Sequence, residues 1–168
     1  ISKRGYTNEQ AEYKGDSLSG KKIEFSIGGK INLVENYLNG ILDGKRTVYY
    51  ERGVIQEESN YTNGVKNGFA RWYNSESVLI AEYNYSNGEF NGLQKTFYSN
   101  DTIRSMQYYD QGICVDSYKE YYEDGSLKVE GLYKKGLKSG TWIEYSDTGD
   151  IINSTKYKKG EPVKWLQF

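Results

Sequence analysis

The sequence lacks residue types that many functional sites require. It has no histidine, which excludes Ser–His–Asp triads, imidazole proton transfer and histidine-ligated zinc. A single cysteine, Cys114, excludes an intramolecular disulfide and a thiolate cluster. No apolar run approaches the roughly 20 residues of a membrane-spanning helix. Lysine and arginine total 22 against 23 aspartates and glutamates, so no basic excess points to nucleic acid.

Aromatic residues and glycine are abundant instead. The mean hydropathy of −0.83 would by itself suggest a disordered chain. However, disordered chains are poor in aromatic residues, and this one has 18 Tyr, 5 Phe and 3 Trp. Nineteen glycines against one proline indicate many tight turns rather than a proline-rich linker.

The dominant pattern is an internal repeat of 24 residues without insertion or deletion. Tyr13 begins a tyrosine column that continues at Tyr37, Tyr61, Tyr85, Tyr109, Tyr133 and Tyr157. Three residues after each of these last six comes Gly40, Gly64, Gly88, Gly112, Gly136 and Gly160. The pattern predicts a degenerate N-terminal half-repeat (residues 1–19), six repeats over 20–163 that start at 20, 44, 68, 92, 116 and 140, and a C-terminal cap (164–168).

Two further glycine columns mark the bends of each repeat. One column holds Gly20, Gly44, Gly68, Gly92 and Gly140, with Asp116 in place of glycine once. The other holds Gly29, Gly53, Gly125 and Gly149, with Ser77 and Asp101 in place of glycine. Each repeat has two short segments rich in aromatic and β-branched residues, and five Asn-Gly dipeptides supply residues that tolerate positive φ. Segments of about six residues between glycines are too short for stable helices. The sequence therefore predicts an all-β fold, an elongated single-layer antiparallel meander of β-hairpins in which neighbouring repeats supply each other's burial.

The repeat resembles the bacterial MORN-repeat variant, whose units read G-x-W-x-x-Y-Y-x-N-G-x-L-x-x-E-x-x-Y-x-N-G-K. The fifth repeat matches best, with Tyr121-Tyr122, Gly125, Leu127, Glu130, Tyr133 and Gly136. The resemblance covers about residues 5 to 163, and at Ser77, Asp101 and Asp116 it implies turns wider than the family pattern. Similar proteins are non-enzymatic binding modules, among them YwqK-type antitoxins and surface or secreted repeat proteins of bacteria, and eukaryotic relatives have been linked to phospholipids and scaffolding.

Six aromatic residues are candidates for contact with a partner. A second aromatic column holds Phe25, Tyr49, Tyr73, Phe97, Tyr121 and Tyr145. The residue that follows it in each repeat is expected to face away from the tyrosine spine, where an aromatic side chain has no repeat-imposed role. The candidates at or in phase with this position are Tyr50, Trp72, Tyr98, Tyr118, Tyr122 and Trp142. The alternative is that these rings pack against long neighbouring side chains or broaden a thin core. The tyrosine column itself is expected to be a packing spine whose buried hydroxyls bond the adjacent turn backbone.

Lysines form a second candidate surface. Lys134, Lys135, Lys158 and Lys159 occupy the same turn positions of consecutive repeats, with Lys138 close by. This edge is a candidate for an anionic partner. The alternative is a solvated surface offset by nearby Glu120 and Glu144.

No pattern indicates catalysis, a cofactor or a metal site, because no carboxylate recurs in a cleft-like pair and Cys114 is expected to be packed in a turn. We therefore expect a non-enzymatic protein-binding module, with specificity from variable positions such as Ile41, Val65 and Phe69. The Asn/Lys/Tyr/Ile-rich composition suggests a bacterial source. A secreted or surface location, which a start without methionine favours, and a cytoplasmic immunity protein remain alternatives, as do glycan and phospholipid-headgroup binding.

Overall fold

A computed structural model describes residues 8–163, and the chain divides into two units, Ile1–Gly88 and Glu89–Phe168. Every regular element among the described residues is a β-strand. The predicted C-terminal cap, 164–168, and the first seven residues of the predicted half-repeat lie outside the described residues.

The first unit is an antiparallel meander. Its strands are β1 (Glu9–Lys14), β2 (Ser17–Phe25), β3 (Ile31–Leu38), β4 (Ile41–Leu42), β5 (Gly44–Tyr49), β6 (Ile55–Thr62), β7 (Val65–Tyr73) and β8 (Leu79–Ser86). They pair in the order β1-β2-β3-β5-β6-β7-β8, and the short β4 also pairs with β3.

The second unit repeats this arrangement. Its strands are β9 (Glu89–Phe90), β10 (Gly92–Phe97), β11 (Ile103–Asp110), β12 (Ile113–Tyr121), β13 (Leu127–Lys134), β14 (Leu137–Tyr145), β15 (Ile151–Lys158) and β16 (Glu161–Pro162). From β10 to β16 each strand pairs antiparallel with the next. The prediction of an all-β fold built from antiparallel hairpins is confirmed.

Each turn that follows the tyrosine column is hydrogen-bonded to the preceding repeat. The turn glycine donates its N–H to a carbonyl 22 residues earlier, as Gly64 does to Leu42 (2.8 Å) and Gly136 to Cys114 (2.8 Å). The residue before each glycine has positive φ, for example 49° at Asn63. Asparagine and glycine adopt this conformation most readily, which is why the sequence places Asn-Gly at several of these turns.

The turns at Ser77 and Asp101 correct one expectation, because they are not wider than the turns with glycine. Ser77 and Asp101 adopt φ values of 67° and 65°, in the region that Gly53 occupies at 86°. Ser77 N–H donates to the Asn74 carbonyl at 3.0 Å, in the position of the Gly53 N–H bond to Tyr50 at 2.8 Å. The turn closes identically at a modest cost in backbone strain.

The other glycine column marks an irregularity within the strands rather than a hairpin turn. Gly68 and Gly140 have positive φ inside β7 and β14, opposite register shifts in the neighbouring strands. Asp116 takes this place in β12 with φ 59°. The positions are β-bulges, which bend a strand and increase its twist. Cys114 also lies within β12, not in a turn.

Few apolar side chains are buried in the described part of the chain. They are Ala70, Ala81 and Trp142. Buried polar residues are at least as common, namely Glu35, Thr47, Ser59, Gln94 and Gln107. A single sheet has no second layer to cover it, so neighbouring strands and long side chains supply the burial.

Candidate functional site

In each unit, the face of the sheet that carries the tyrosine column is called the tyrosine face. Tyr118 pairs with Gly131 on β13, two residues before Tyr133, and Trp142 pairs with Thr155 on β15, two residues before Tyr157. Side chains two residues apart, and side chains of directly paired residues, share one face. Tyr118 and Trp142 therefore lie on the tyrosine face, and the prediction that they face the other way is wrong.

The same correction applies to Trp72, which pairs with Ala81, four residues before Tyr85. The error has a physical cause, because in each repeat the register shifts just before the second aromatic column. One such shift lies between Glu120 and Tyr121. Alternation counted from Tyr121 therefore fails for residues on the other side of the bulge.

Four rings form an aromatic cluster on the second unit, made of Tyr118, Tyr133, Trp142 and Tyr157. The Trp142 ring stacks on Tyr118 at 5.5 Å between centroids and meets Tyr133 and Tyr157 edge-on at 5.0 and 6.3 Å. Trp142 is only 7% exposed, and its Nε1–H donates to the Leu132 carbonyl at 3.2 Å. Its ring is thus covered rather than presented to a partner.

The cluster raises the pKa of one of its tyrosines strongly. Burial raises the pKa of Tyr118 to about 12, with a further contribution from the negative charge of Glu120, to which its hydroxyl donates at 3.1 Å. Burial also raises the pKa of Tyr133. Both hydroxyls therefore stay neutral at physiological pH.

The other three candidate aromatics connect neighbouring hairpins. The hydroxyls of Tyr50, Tyr98 and Tyr122 donate to backbone carbonyls 23 residues later, at 2.8–2.9 Å. This is the backbone bond expected of the tyrosine column, whereas Tyr37 of that column donates to Glu35 at 2.9 Å. The backbone bond expected of the tyrosine column is thus made by these three tyrosines, while Tyr37 bonds a carboxylate instead. Whether any of the six candidates contacts a partner stays a prediction.

Where the repeat has no tyrosine at this position, a small polar residue closes its own turn instead. The Asn74 side chain accepts N–H bonds from Glu76 and Val78, and the Ser146 hydroxyl accepts one from Asp150. This repeat position therefore has a structural role whether a tyrosine or a small polar residue occupies it.

Most of the predicted lysine edge converges on one groove of the second unit. Its lining residues are Lys134, Lys135, Leu137, Lys138, Ser139 and Lys159. Lys158 does not line it. Within residues 8–163, none of the lysines of the edge or of the groove forms an ion pair. Glu120, which was expected to offset their charge, forms an ion pair with Lys128 at 2.8 Å instead.

Lys138 links the groove to the aromatic cluster. Its Nζ lies 4.1 Å from the Trp142 ring centroid and 5.1 Å from that of Tyr157. Ammonium groups are attracted to the negative faces of such rings. From its position in the sequence, Lys138 is only a neighbour of the lysine edge. The only sequence signal is that Lys66 stands three periods earlier; a tryptophan follows both lysines, but at different spacings.

The first unit has a charged network on its tyrosine face. Arg46 binds Glu35 at 3.1 Å and Glu57 at 3.2 Å, and Glu57 also accepts a hydrogen bond from Lys66 at 3.0 Å. Burial alone would raise the pKa of Glu57, but the Lys66 hydrogen bond and the charges of Lys66 and Arg46 lower it below its ordinary value of 4.5. Every carboxylate of this network has a basic partner.

Two findings bear on metal binding and membrane insertion. No group of three or more acidic or cysteine side chains within residues 8–163 is arranged to hold a metal ion. The part of the chain that the structure describes has no helix with the length and hydrophobicity that a membrane crossing requires.

The fold and the repeated contacts define the class of protein, a repeat protein of antiparallel β-hairpins. Three segments match the family model of the MORN repeat variant, residues 42–63, 90–111 and 117–135. The first two begin 48 residues apart, which is two periods of the repeat. These three segments are thus similar to MORN-variant repeats, in line with the resemblance noted from the sequence. A search among curated proteins gave no match.

Proposed function

We propose that this chain is a non-enzymatic binding module whose partner is a protein. Its MORN-variant repeats are consistent with a repeat-type binding module. In such proteins a constant frame carries variable surface positions that make the specific contacts. Here the frame is the turn hydrogen bonds and the tyrosine column, which recur in both units.

The observation that carries this proposal is a set of exposed aliphatic residues directly after the hairpin turns, at a repeat position that elsewhere holds Glu89 and Glu161. In the first unit it holds Ile41 and Val65, and in the second unit Ile113 and Leu137, with exposed fractions between 42% and 51%. Phe69, at another variable position, is 50% exposed. Apolar side chains recurring at a variable surface position are typical of protein contact surfaces.

Isolation of the partner tests the proposal. The chain, isolated from its own cells with bound proteins, is expected to carry a stoichiometric protein partner. Replacing Ile41, Val65, Ile113 and Leu137 with serine should abolish this binding, and Ile27→Ser, at a fully exposed turn residue, should leave it intact. Circular dichroism verifies that each variant folds. Absence of a partner from the unaltered protein, or full retention by the fourfold variant, contradicts the proposal.

The identity of the isolated partner decides between two settings. We favour a secreted or surface protein of a bacterium, whose partner lies on a host or neighbouring cell. The alternative is a cytoplasmic immunity protein of the YwqK type, whose partner is a toxin encoded beside it.

Phospholipid headgroups are a second candidate ligand, favoured by the unpaired lysines of the groove. This alternative predicts salt-sensitive association with anionic vesicles that is lost when Lys134, Lys135, Lys158 and Lys159 become serine. Unchanged association would reject it. Glycan stacking on Trp142 has less support because Tyr118 and Lys138 already cover that ring.

A further inference from the structure

Lys66 and Lys138 occupy equivalent places in the two units. They stand three periods apart and pair with Tyr61 and Tyr133 across their hairpins. Both ammonium groups lie over two rings, Lys66 at 5.0 Å from Trp72 and 5.3 Å from Tyr85. Tyr85 and Tyr157 stand three periods apart, whereas Trp72 and Trp142 come from different positions of the repeat. Both lysines therefore lie over a tyrosine and a tryptophan, although the tryptophans are not equivalent.

A carboxylate that bonds to the lysine is present in only one of the two places. Lys66 donates to Glu57 at 3.0 Å. Three periods after Glu57 stands Val129, which lines a shallow depression together with Lys138 and Trp142. Glu144 also lines this depression, but it forms no ion pair with Lys138. The half-buried charge of Lys138 is thus without an anionic partner among residues 8–163, and such a charge favours the binding of an anion.

The groove beside Lys138 defines the chemistry of that anion further. Four of its six lining residues are lysines, and none is acidic. Leu137, 48% exposed, provides an apolar patch between them. A ligand that satisfies both features carries several negative charges and at least one apolar group.

We propose that this groove binds an acidic segment of the protein partner. A carboxylate of the segment contacts Lys138, the flanking lysines bind further carboxylates, and an aliphatic side chain packs on Leu137. The inference rests on the proposed protein-binding function and names the chemistry of the partner. A peptide fits better than a membrane surface. A flat bilayer would contact only the exposed lysines of the groove, whereas a peptide side chain can reach Lys138, which is half-buried between its two rings.

Fluorescence anisotropy with labelled peptides tests this inference. The probe is the octapeptide Glu-Glu-Leu-Glu-Asp-Leu-Glu-Glu, and two control peptides carry amides in place of its carboxylates or serine in place of its leucines. The full chain should bind the probe and lose affinity for both controls. Lys138→Met should weaken binding of the probe about tenfold or more, because a charged hydrogen bond is lost.

Two matched variants make the test specific. Val129→Glu restores in the second unit the carboxylate that Lys66 has in the first, so it should neutralise Lys138 and weaken peptide binding to a similar extent. Glutamate already stands at the position equivalent to Val129 in the first unit, where Glu57 pairs with Lys66. Lys158→Met removes the same charge from a lysine that does not line the groove and should change affinity by less than about twofold.

The outcomes are distinguishable. If the acidic peptide does not bind, or Lys158→Met weakens it as much as Lys138→Met, the inference is overturned, while isolation of a protein partner still decides the proposed function. If vesicles containing phosphatidylserine bind in a Lys138-dependent manner and the peptide does not, the ligand is a lipid and the inference is again overturned.

Discussion

At one position of the repeat, charges pack the tyrosine face in the first unit and rings pack it in the second. Arg46 in the first unit and Trp142 in the second stand at the same position of the repeat, four periods apart. Arg46 joins two carboxylates, whereas Trp142 contacts three tyrosines. The backbone pairing is the same around both. One hairpin frame therefore accepts either kind of packing, provided that the side chains at a position change together.

The neighbours of these two residues show that coordinated change. Beside Arg46 lies Glu35, and the equivalent position beside Trp142 is Gly131. A methyl group on Gly131 would overlap the indole ring. The ring occupies the space that a side chain fills in other repeats, so glycine here provides room for the ring rather than a special backbone conformation.

The largest expected effect is that of Trp142→Ala. Loss of a nearly buried indole and its three ring contacts should lower the free energy of unfolding by about 3–5 kcal/mol. Trp72→Ala, which removes a tryptophan with one close ring partner, Tyr83 at 5.1 Å, should cost clearly less. Urea unfolding followed by circular dichroism measures both. Equal losses would show that the aromatic cluster adds no stability beyond a single ring pair.

Gly131→Ala should lower the free energy of unfolding by about 1–3 kcal/mol, because the methyl group displaces the Trp142 ring. The backbone is not the cause, since Ser59 and Gln107 stand at equivalent positions. In the Trp142→Ala background the same substitution should cost almost nothing. A double-mutant cycle by urea unfolding checks this, and additive effects would contradict the steric explanation.

The charged network of the first unit and the aromatic cluster of the second should also lose stability at opposite ends of the pH scale. The lowered pKa of Glu57 contributes stability that is present above pH 4.5 and is lost as the pH falls through the lower folded value. The pKa of Tyr118, raised from 10.0 to about 12, contributes stability that is present below pH 10 and is lost as the pH rises towards 12.

Thermal unfolding across pH measures both contributions. Glu57→Gln should flatten the acid side of the stability profile, and Tyr118→Phe should reduce the loss above pH 10. The tyrosines of the first unit, such as Tyr37 and Tyr85, also have raised pKa values and will keep part of the alkaline loss in place. A Tyr118→Phe profile that matches the wild type would contradict the burial of this hydroxyl.

The smallest expected effects lie where the two units do not differ. Tyr50→Phe in the first unit and Tyr122→Phe in the second each remove one hydroxyl bond to the next hairpin. Each should cost about 1 kcal/mol, and the two losses should be similar because the frame is shared. Hydrogen exchange near the Tyr73 and Tyr145 carbonyls locates the change. A large difference between the variants would show that the frame itself differs between units.

The repeat, the strands and the turns could be predicted from the sequence because they depend on short-range rules. A tyrosine every 24 residues, Asn-Gly at turns and β-branched segments between them specify antiparallel hairpins without knowledge of any distant contact. The failure at Ser77 and Asp101 was small, since both residues reach the turn conformation of glycine.

The candidate site was predicted less completely. The lysine edge could be predicted from its spacing. The contact of Lys138 with the Trp142 ring, and the position of Val129 beside it, could not, because they depend on which residues meet across strands. The face of Tyr118 and Trp142 was predicted wrongly because a bulge breaks the alternation from which it was counted.

By itself, the sequence determined the period, the hairpin unit and the positions of the turns, because each follows from the conformational preferences of neighbouring residues. Only the tertiary structure decided which side chains share a face, which charges are paired and which ring Lys138 contacts. Those outcomes depend on strand register, and one bulged residue is enough to move a side chain from one face of a sheet to the other.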